Sequence, residues 1–343
     1  MFQGVIVPIV TFFDKNQKID FPAQKAHSEF LIENGVDAIF IMGSAGEGVC
    51  LCDEDKVMLT EKTAEFIRKR VKLLAGISQE STTRCKRLMD KLKDYPVDAF
   101  VVTLPYYFPI SSQESIRDFF TEIADYSPKP IFVYNIPCFT KAIIAPETTA
   151  KLSLHPNIVG VKDSYPDLSH ALKLIREVKK ANPEFSVFIG EESIVASLAK
   201  ENFDGIVPIY GNIFPGVTVG LFKGVKEKDY DMVSRMQAEL NEAKLILPCA
   251  DTFYAALKGY LSLRGTGTPV VLSPVRTATN EQMQMIKKFF DMLENKKINT
   301  TRECLKNIHC HLEPVDGFSR ADKLPLTTSR QSRIGKTTAD LVF

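Results

Sequence analysis

One lysine closes an otherwise apolar strand candidate, and its side chain could serve as a nucleophile. The segment Ile158–Lys162 reads Ile-Val-Gly-Val-Lys, and Asp163 follows it. On the outside of a fold, this lysine would be an ordinary solvated strand end. At the mouth of a barrel it would lose water, and burial favours the neutral amine, which attacks a ketone to form a Schiff base. The strand by itself leaves both interpretations open.

A glycine-rich segment after the second strand candidate could bind a carboxylate. Gly43–Gly48 reads Gly-Ser-Ala-Gly-Glu-Gly, and its three glycines let the backbone approach a ligand closely. The backbone N–H groups and the Ser44 hydroxyl could then cradle an anion. Glu47 would repel that anion, so we expect its carboxylate to accept hydrogen bonds that fix the loop. An ordinary glycine turn is the alternative.

Tyrosines end two further strand candidates. Tyr134 lies near the end of the fifth strand candidate, just before Asn135. Tyr106 and Tyr107 follow the end of the fourth. A phenol at a strand mouth can relay protons when its partner is charged. A packing role is the alternative for Tyr134, and packing or an interface is the alternative for the paired tyrosines.

Short β-branched runs alternate with amphipathic segments along most of the chain. Several runs are apolar throughout, which is typical of strands that helices cover on both faces. Eight such strands, most followed by a helix, predict a (β/α)8 TIM barrel, whose active site lies where the strands end. A doubly wound sheet is the rival, although no GxGxxG follows the first strand. The strand candidates are Gly4–Phe12, Asp37–Met42, Lys72–Ile77, Asp98–Leu104, Pro130–Ile136, Ile158–Lys162, Val187–Ile189 and Gly205–Ile209.

More helical segments follow the eighth strand than one closing helix requires, so we expect a C-terminal helical extension packed on the barrel. The predicted division is a catalytic barrel over residues 1–217, a helical portion over residues 218–294 and a flexible tail over residues 295–343, where periodic apolar residues are few. The helix candidates of the extension are Val233–Leu245, Asp251–Leu263 and Asn280–Leu293.

The composition excludes several classes of protein. Lys and Arg number 43 against 42 Asp and Glu, and the net charge of +1 gives no global attraction to nucleic acid or an anionic membrane. The sequence shows no apolar run of eighteen residues and no secretory signal, which predicts a cytoplasmic protein without a membrane span. The seven scattered cysteines predict free thiols in a reducing compartment.

Histidines are too few for most metal-dependent aldolases and hydrolases. Only five occur in the chain. His309 and His311 flank Cys310 and could in principle hold a metal, but an exposed polar stretch is the preferred interpretation. An enzyme with this sequence would therefore use another residue type as its base or nucleophile.

Three motifs gain meaning from their order and spacing. Gly43–Glu47 (GSAGE), Tyr134–Pro137 (YNIP) and Gly160–Ser164 (GVKDS) fall on the second, fifth and sixth strands. Together they resemble the dihydrodipicolinate synthase/N-acetylneuraminate lyase family of class I pyruvate aldolases. The resemblance covers roughly Met1–Leu293 and implies a (β/α)8 barrel with a C-terminal helical portion, usually as a homotetramer built from dimers. It implies no metal or organic cofactor, in agreement with the few histidines.

The resemblance also implies roles for individual residues. Lys162 would form the Schiff base with the keto group of pyruvate, and Tyr134 would relay protons to the carbinolamine and the second substrate. Ser44 would link Tyr134 to Tyr107, a position that in this family commonly reaches into the neighbouring subunit's site. Backbone N–H groups of Ser44 and Ala45 would hold the pyruvate carboxylate.

Three departures from the family pattern bear on the substrate. Members usually carry a second hydroxyl at the position of Ala45, and its loss costs roughly 0.5–1.5 kcal/mol of binding. Dihydrodipicolinate synthases usually place an arginine where this chain has Phe139, and an aromatic ring cannot replace a bidentate cation for the carboxylate of aspartate semialdehyde. Sialic acid lyases typically have an acidic residue where Ser193 falls.

The sequence thus predicts a Schiff-base-forming, pyruvate-dependent lyase that reversibly cleaves a 2-keto acid, preferably a 2-keto-3-deoxy sugar acid, to pyruvate and an aldehyde. The alternatives are 4-hydroxy-tetrahydrodipicolinate synthase, N-acetylneuraminate lyase and a non-catalytic member that binds a keto acid. Retention of Lys162 and Tyr134 favours catalysis, because a binding pocket alone does not need them. The expected substrate contacts are Ala45, Ser164, Glu192, Ile209 and Tyr210, with Asn212 as a further partner for a polyol.

Overall fold

Eight parallel strands close into a barrel in the computed structural model, which describes residues 1–294. Consecutive strands pair with each other and the last pairs with the first, so the sheet has no free edge. The predicted (β/α)8 barrel is therefore confirmed, and the doubly wound sheet is excluded. The strands are β1 Gly4–Pro8, β2 Ala38–Ile41, β3 Lys72–Gly76, β4 Ala99–Thr103, β5 Ile131–Asn135, β6 Ile158–Asp163, β7 Ser186–Ile189 and β8 Gly205–Ile206.

Helices surround the barrel, and polar side chains cap many of them. Ser112 accepts a hydrogen bond from the Ser115 backbone N–H at 3.1 Å, and Asp167 accepts one from the His170 backbone N–H at 2.7 Å. Such caps satisfy N–H groups that the first helical turn leaves unpaired. The helices are α1 Phe21–Glu33, α2 Asp53–Ile67, α3 Thr82–Leu92, α4 Gln113–Tyr126, α5 Pro137–Thr140, α6 Pro146–Leu152, α7 Leu168–Ala181, α8 Pro215–Glu227, α9 Tyr230–Ala243, α10 Phe253–Leu263 and α11 Asn280–Glu294.

Strand side chains alternate between two apolar layers. Phe40 and Phe132 point into the barrel, whereas their neighbours Ile39 and Val133 pack in the layer between the barrel and the helices. This alternation follows from the two-residue repeat of a strand. It decides which residues at the ends of the strands face the mouth of the barrel.

Two predicted strand ends differ from the structure by more than one residue. The first strand ends at Pro8, before Phe12, and the last ends at Ile206, before Ile209, which lies in the short 3-10 helix Ile209–Asn212. Helix α2 ends at Ile67 because Arg68 adopts a left-handed φ of 50°. Arg68, Lys69 and Arg70 thus follow the helix, and Arg70 donates from Nε to the Ile67 carbonyl at 3.0 Å.

The C-terminal helical extension is present as α9, α10 and α11. The predicted boundary after residue 217 falls inside α8, which packs against β1 as the eighth helix around the barrel. Residues 1–294 belong to one compact unit. Within them, no helix combines the length and the apolar character needed to span a bilayer. The predicted tail and the His309–His311 segment lie outside the described residues.

Candidate active site

Lys162 and Tyr134 lie side by side inside the barrel. They are paired in the register of β6 and β5, and each is only 4% exposed. The Lys162 Nζ is 4.0 Å from the centroid of the Tyr134 ring and 5.3 Å from that of Phe40. Within residues 1–294, neither the amine nor the phenol hydroxyl has a hydrogen-bond partner in the protein. Neither group is therefore occupied by a hydrogen bond to another residue in this range.

The outward neighbours of this pair hold the two strands together. The Asn135 side chain donates from Nδ2 to the Asp163 carboxylate at 2.7 Å, and the His170 ring nitrogen Nε2 lies 3.2 Å from the same oxygen. Asp163 also accepts from the Tyr165 backbone N–H at 3.1 Å. Because side chains alternate along a strand, these bonds fix the backbone from which Lys162 projects inward.

Gly190, at the end of β7, makes room for the lysine. A Cβ atom at this position would lie 2.2 Å from the Ser164 Oγ and 3.1 Å from the Lys162 Cε. Both distances are shorter than ordinary van der Waals contact, so any side chain would displace these groups. The glycine is needed here for close packing.

The Gly43–Gly48 loop presents free backbone donors next to the mouth of the barrel. The N–H groups of Gly46 and Gly48 donate to the Gly43 carbonyl at 3.1 and 3.2 Å. In the part of the chain that the structure describes, the N–H groups of Ser44 and Ala45 donate to no backbone oxygen. These two groups have the chemistry to hold a carboxylate.

An ion pair buried against the C-terminal helices fixes this loop. Glu47 adopts a φ of 53°, its Oε1 pairs with the Lys258 Nζ of α10, and its Oε2 accepts from the Leu272 backbone N–H at 2.7 Å. Lys258 also donates to the Val270 carbonyl at 2.9 Å. Burial lowers the pKa of Lys258 to about 8 and raises the pKa of Glu47. Glu47 thus fixes the loop, as the sequence predicted.

A cavity of about 280 Å³ opens beside the lysine and the tyrosine. Ser44, Phe40 and Tyr134 line it, and Lys162, whose amine lies near the last two rings, is not among the lining residues. Tyr106 also lines it, and burial together with the nearby Glu80 carboxylate raises the pKa of Tyr106 to about 12. The other lining residues are Met42, Gly43, Glu47, Gly48, Val49, Cys50, Gly76, Ser78, Thr103, Ile136, Phe139, Thr140, Phe253 and Tyr254.

The remaining predicted site residues lie outside the wall of this cavity. The Glu192 carboxylate accepts from the backbone N–H groups of Ile209 and, at 3.2 Å, Tyr210. Tyr210 is buried, and Ser164 is half-buried beside Gly190.

Tyr107 and Ala45 differ sharply in exposure. Tyr107 is 74% exposed and stacks edge to face on Phe108, so it does not reach Ser44 within this chain. Ala45 is buried, and only its backbone can meet a ligand. The predicted chain from Tyr134 through Ser44 to Tyr107 is therefore not formed within one subunit.

Sequence reasoning missed the contribution of α10. Phe253 and Tyr254 line the cavity, and Lys258 pairs with Glu47 of the Gly43–Gly48 loop. The composition of α10 could have indicated this role, because Lys258 is the only charged residue in a largely apolar helix. An isolated charge in such a helix needs a buried partner.

Residues 1–294 contain no group of three or more His, Cys, Asp or Glu side chains placed to bind a metal ion. The five cysteines in this range, namely Cys50, Cys52, Cys85, Cys138 and Cys249, are free thiols, as predicted.

A closed (β/α)8 barrel that buries a lysine beside a tyrosine at its mouth has the architecture of a class I carbon–carbon lyase. The sequence model described as the Dihydrodipicolinate synthetase family matches residues 1–293. The chain belongs to this family, which confirms the resemblance seen in the three motifs.

Several relatives cover most of the chain. It is 28% identical over 284 residues to the probable 2-dehydro-3-deoxy-D-pentonate aldolase YjhH of Escherichia coli, covering 82% of this chain and 93% of the relative. It is 32% identical over 292 residues to a 4-hydroxy-tetrahydrodipicolinate synthase of Syntrophus aciditrophicus, covering 84% and 97%. Among solved structures, YagE of Escherichia coli in complex with pyruvate superimposes with a TM-score of 0.81 at 26% identity, covering 86% and 99%.

Proposed function

We propose that the protein is a pyruvate-dependent lyase that forms a Schiff base through Lys162 and reversibly cleaves a 2-keto acid to pyruvate and an aldehyde. The observation that carries this proposal is the buried contact of the Lys162 amine with Tyr134. A lysine amine in such a position can attack the keto carbon of a bound substrate and form a Schiff base.

The reaction can be written in balanced steps. The Lys162 amine attacks the keto carbon to give a carbinolamine, which loses water to form the imine. The bond between C3 and C4 then breaks, and its electron pair moves into the imine to leave an enamine. The C4 hydroxyl gives up its proton and becomes the aldehyde. Protonation of the enamine at C3 and addition of water release pyruvate and the free amine.

The surrounding groups have distinct tasks. Tyr134 would carry the protons that the carbinolamine and the C4 oxygen exchange. The free N–H groups of Ser44 and Ala45 would hold the carboxylate of pyruvate. The pyruvate bound in the related YagE structure supports the assignment of this ligand.

Two named activities among the relatives differ in their second substrate. The relation to a synthase supports aspartate semialdehyde, but no arginine or lysine is among the residues that line the cavity, and Phe139 occupies the wall instead. The relation to a pentonate aldolase supports a 2-keto-3-deoxy sugar acid. Cleavage of a 2-keto acid to pyruvate is therefore the reaction that we propose.

We also infer that Tyr107 completes the site of a neighbouring subunit in a homotetramer. Tyr107 and Phe108 expose two adjacent aromatic rings, which is unusual for a surface that faces only water. Sedimentation of the wild type and of Tyr107→Glu tests this. We expect the substitution to weaken assembly, and unchanged assembly would contradict the inference.

Chemical trapping tests the Schiff base directly. Incubation with pyruvate and borohydride should reduce the imine and label the peptide that contains Lys162, as mapped by mass spectrometry. Lys162→Ala should abolish the label, whereas Lys179→Ala, a change on α7 outside the site, should retain it. Absence of a label at saturating pyruvate would overturn the proposal.

A further inference from the structure

We propose that the aldehyde half of the substrate is apolar, and preferably aromatic, and that Val49, Phe139, Phe253 and Tyr254 bind it. This inference rests on the proposed function and names the substrate class of that site. Side chains of these four residues line the same cavity as Ser44 and Tyr134.

The cavity has an inner and an outer end. Tyr134 and Phe40, which contact the Lys162 amine, are buried, whereas Val49 and Phe139 are 57% and 47% exposed. A keto carbon bound to the amine must therefore lie at the inner end. The part of the substrate beyond the bond that breaks then extends toward the exposed residues.

The charges of the wall disfavour an anionic aldehyde. Glu47 is the only charged side chain among the lining residues, and its oxygens are taken by Lys258 and the Leu272 N–H. A second carboxylate would meet no lysine or arginine among the residues that line the cavity. Desolvating an unpaired carboxylate is strongly unfavourable.

Several polar groups of the wall are already hydrogen-bonded within the protein. The Ser78 Oγ accepts from the Thr103 N–H at 2.9 Å, and the Thr140 hydroxyl lies 3.1 Å from the Ile136 carbonyl, to which it donates. A polyol in this space would therefore find these two hydroxyls already partnered.

Two of the residues predicted to hold a polyol, Glu192 and Asn212, already have hydrogen-bond partners in the protein. The Glu192 carboxylate binds backbone N–H groups, as described above. The Asn212 side chain is fully buried, accepts from the Val10 N–H at 3.0 Å and donates to the Pro8 and Ile209 carbonyls at 3.0 and 2.9 Å. These contacts would compete with sugar hydroxyls at Glu192 and Asn212.

The aromatic side chains are arranged for contact with an apolar group. Phe253 and Tyr254 meet edge to face with 5.2 Å between their ring centroids. Together with Phe139 and Val49, they offer a half-exposed apolar surface at the outer end of the cavity. Burying an aromatic ring there is favourable in proportion to the apolar area removed from water.

The synthetic direction provides the assay. The enamine C3 forms a bond to the aldehyde carbon, and the aldehyde oxygen takes up a proton, which we assign to Tyr134. Water then hydrolyses the imine to release a 4-hydroxy-2-keto acid. Consumption of pyruvate with benzaldehyde, D-glyceraldehyde and aspartate semialdehyde as acceptors gives kcat/KM for each.

The variant Phe139→Arg separates binding from intrinsic aldehyde reactivity, because each aldehyde is compared with itself. We expect the wild type to prefer benzaldehyde to the two polar aldehydes, and Phe139→Arg to shift the ratio of benzaldehyde to aspartate semialdehyde at least about tenfold toward the latter, which corresponds to about 1.4 kcal/mol. Leu154→Arg, a matched change at an exposed apolar residue outside the cavity, should leave this ratio unchanged.

The outcomes distinguish this inference from the proposed function. A Lys162 adduct with pyruvate, together with a preference for D-glyceraldehyde or an unchanged ratio in Phe139→Arg, would overturn the aromatic subsite alone. Failure to trap pyruvate on Lys162 would overturn both proposals.

Discussion

The Lys162 Nζ lies 4.0 Å from the centroid of the Tyr134 ring, on the neighbouring strand and at the same register position. The arrangement places an amine against the face of a phenol rather than at its hydroxyl. The ring therefore shields the amine from water, while its hydroxyl remains available to a bound substrate.

Removing this hydroxyl should separate imine formation from turnover. Tyr134→Phe keeps the ring against Lys162 but cannot transfer a proton. We expect slow formation of the trapped pyruvate adduct and a turnover rate reduced by about 10²–10⁴. Tyr126→Phe, which removes a surface hydroxyl bound to Asp90, is the matched control and should retain turnover. Parental turnover in Tyr134→Phe would remove this residue from the relay.

Adding one methyl group at Gly190 should disrupt the lysine. The new Cβ would displace the Ser164 Oγ and the Lys162 Cε, and small displacements of reacting groups cost about 10²-fold in rate. Gly190→Ala should therefore lose turnover while keeping the barrel's circular dichroism spectrum. Gly216→Ala is the control, because its Cβ would meet nothing closer than 3.9 Å. Full activity in Gly190→Ala would show that the packing is not needed.

Breaking the buried ion pair should destabilise the protein more than removing it entirely. Lys258→Met leaves the Glu47 carboxylate buried without its cation, which typically costs about 3–5 kcal/mol. The double variant Glu47→Gln with Lys258→Met leaves no buried charge and should lose less. Urea denaturation measures both, with Lys62→Met at an exposed ion pair as the control. Equal losses in the single and double variants would contradict the prediction.

The stability of the protein should depend on pH through Glu192. Burial, with Glu191 nearby, raises the pKa of Glu192 from 4.5 to about 7. The folded state thus favours the protonated carboxyl, a contribution that is fully present below pH 4.5 and is lost as the pH rises through about 7. Glu192→Gln keeps the acceptor oxygen but does not titrate.

Urea denaturation of both proteins across this pH range tests the assignment. The free energy of unfolding of the wild type should fall relative to Glu192→Gln as the pH rises, by at most about 3 kcal/mol. A difference that does not change with pH would refute it.

The sequence predicted the barrel because its strands are buried on both faces and are therefore apolar throughout. The same patterning identified Lys162, since a charged residue at the end of such a strand is conspicuous. The ends of β1 and β8 were misjudged because apolar residues such as Ile9 and Ile209 continue past the last ladder pairing. Local hydrophobicity does not record where neighbouring strands cease to pair.

The wall of the cavity could not be predicted in the same way. Glu47 and Lys258 are 211 residues apart, and only the closed fold brings them together. Phe253 and Tyr254 open an apolar helix, where aromatic residues ordinarily belong to the core. Their position in the cavity depends on how α10 packs against the mouth of the barrel, which is a tertiary property.

The groups proposed to react with the substrate and the surface proposed to bind the aldehyde come from different elements, so they could change independently. The strands supply the Lys162 amine and the Tyr134 phenol. The opening turn of α10 supplies Phe253 and Tyr254, which we propose to bind the aldehyde half of the substrate. Mutations in that turn could therefore broaden or redirect the range of aldehydes without touching the groups that make and break bonds. Lys258, one turn further along, limits such change, because it forms the buried ion pair with Glu47 of the Gly43–Gly48 loop.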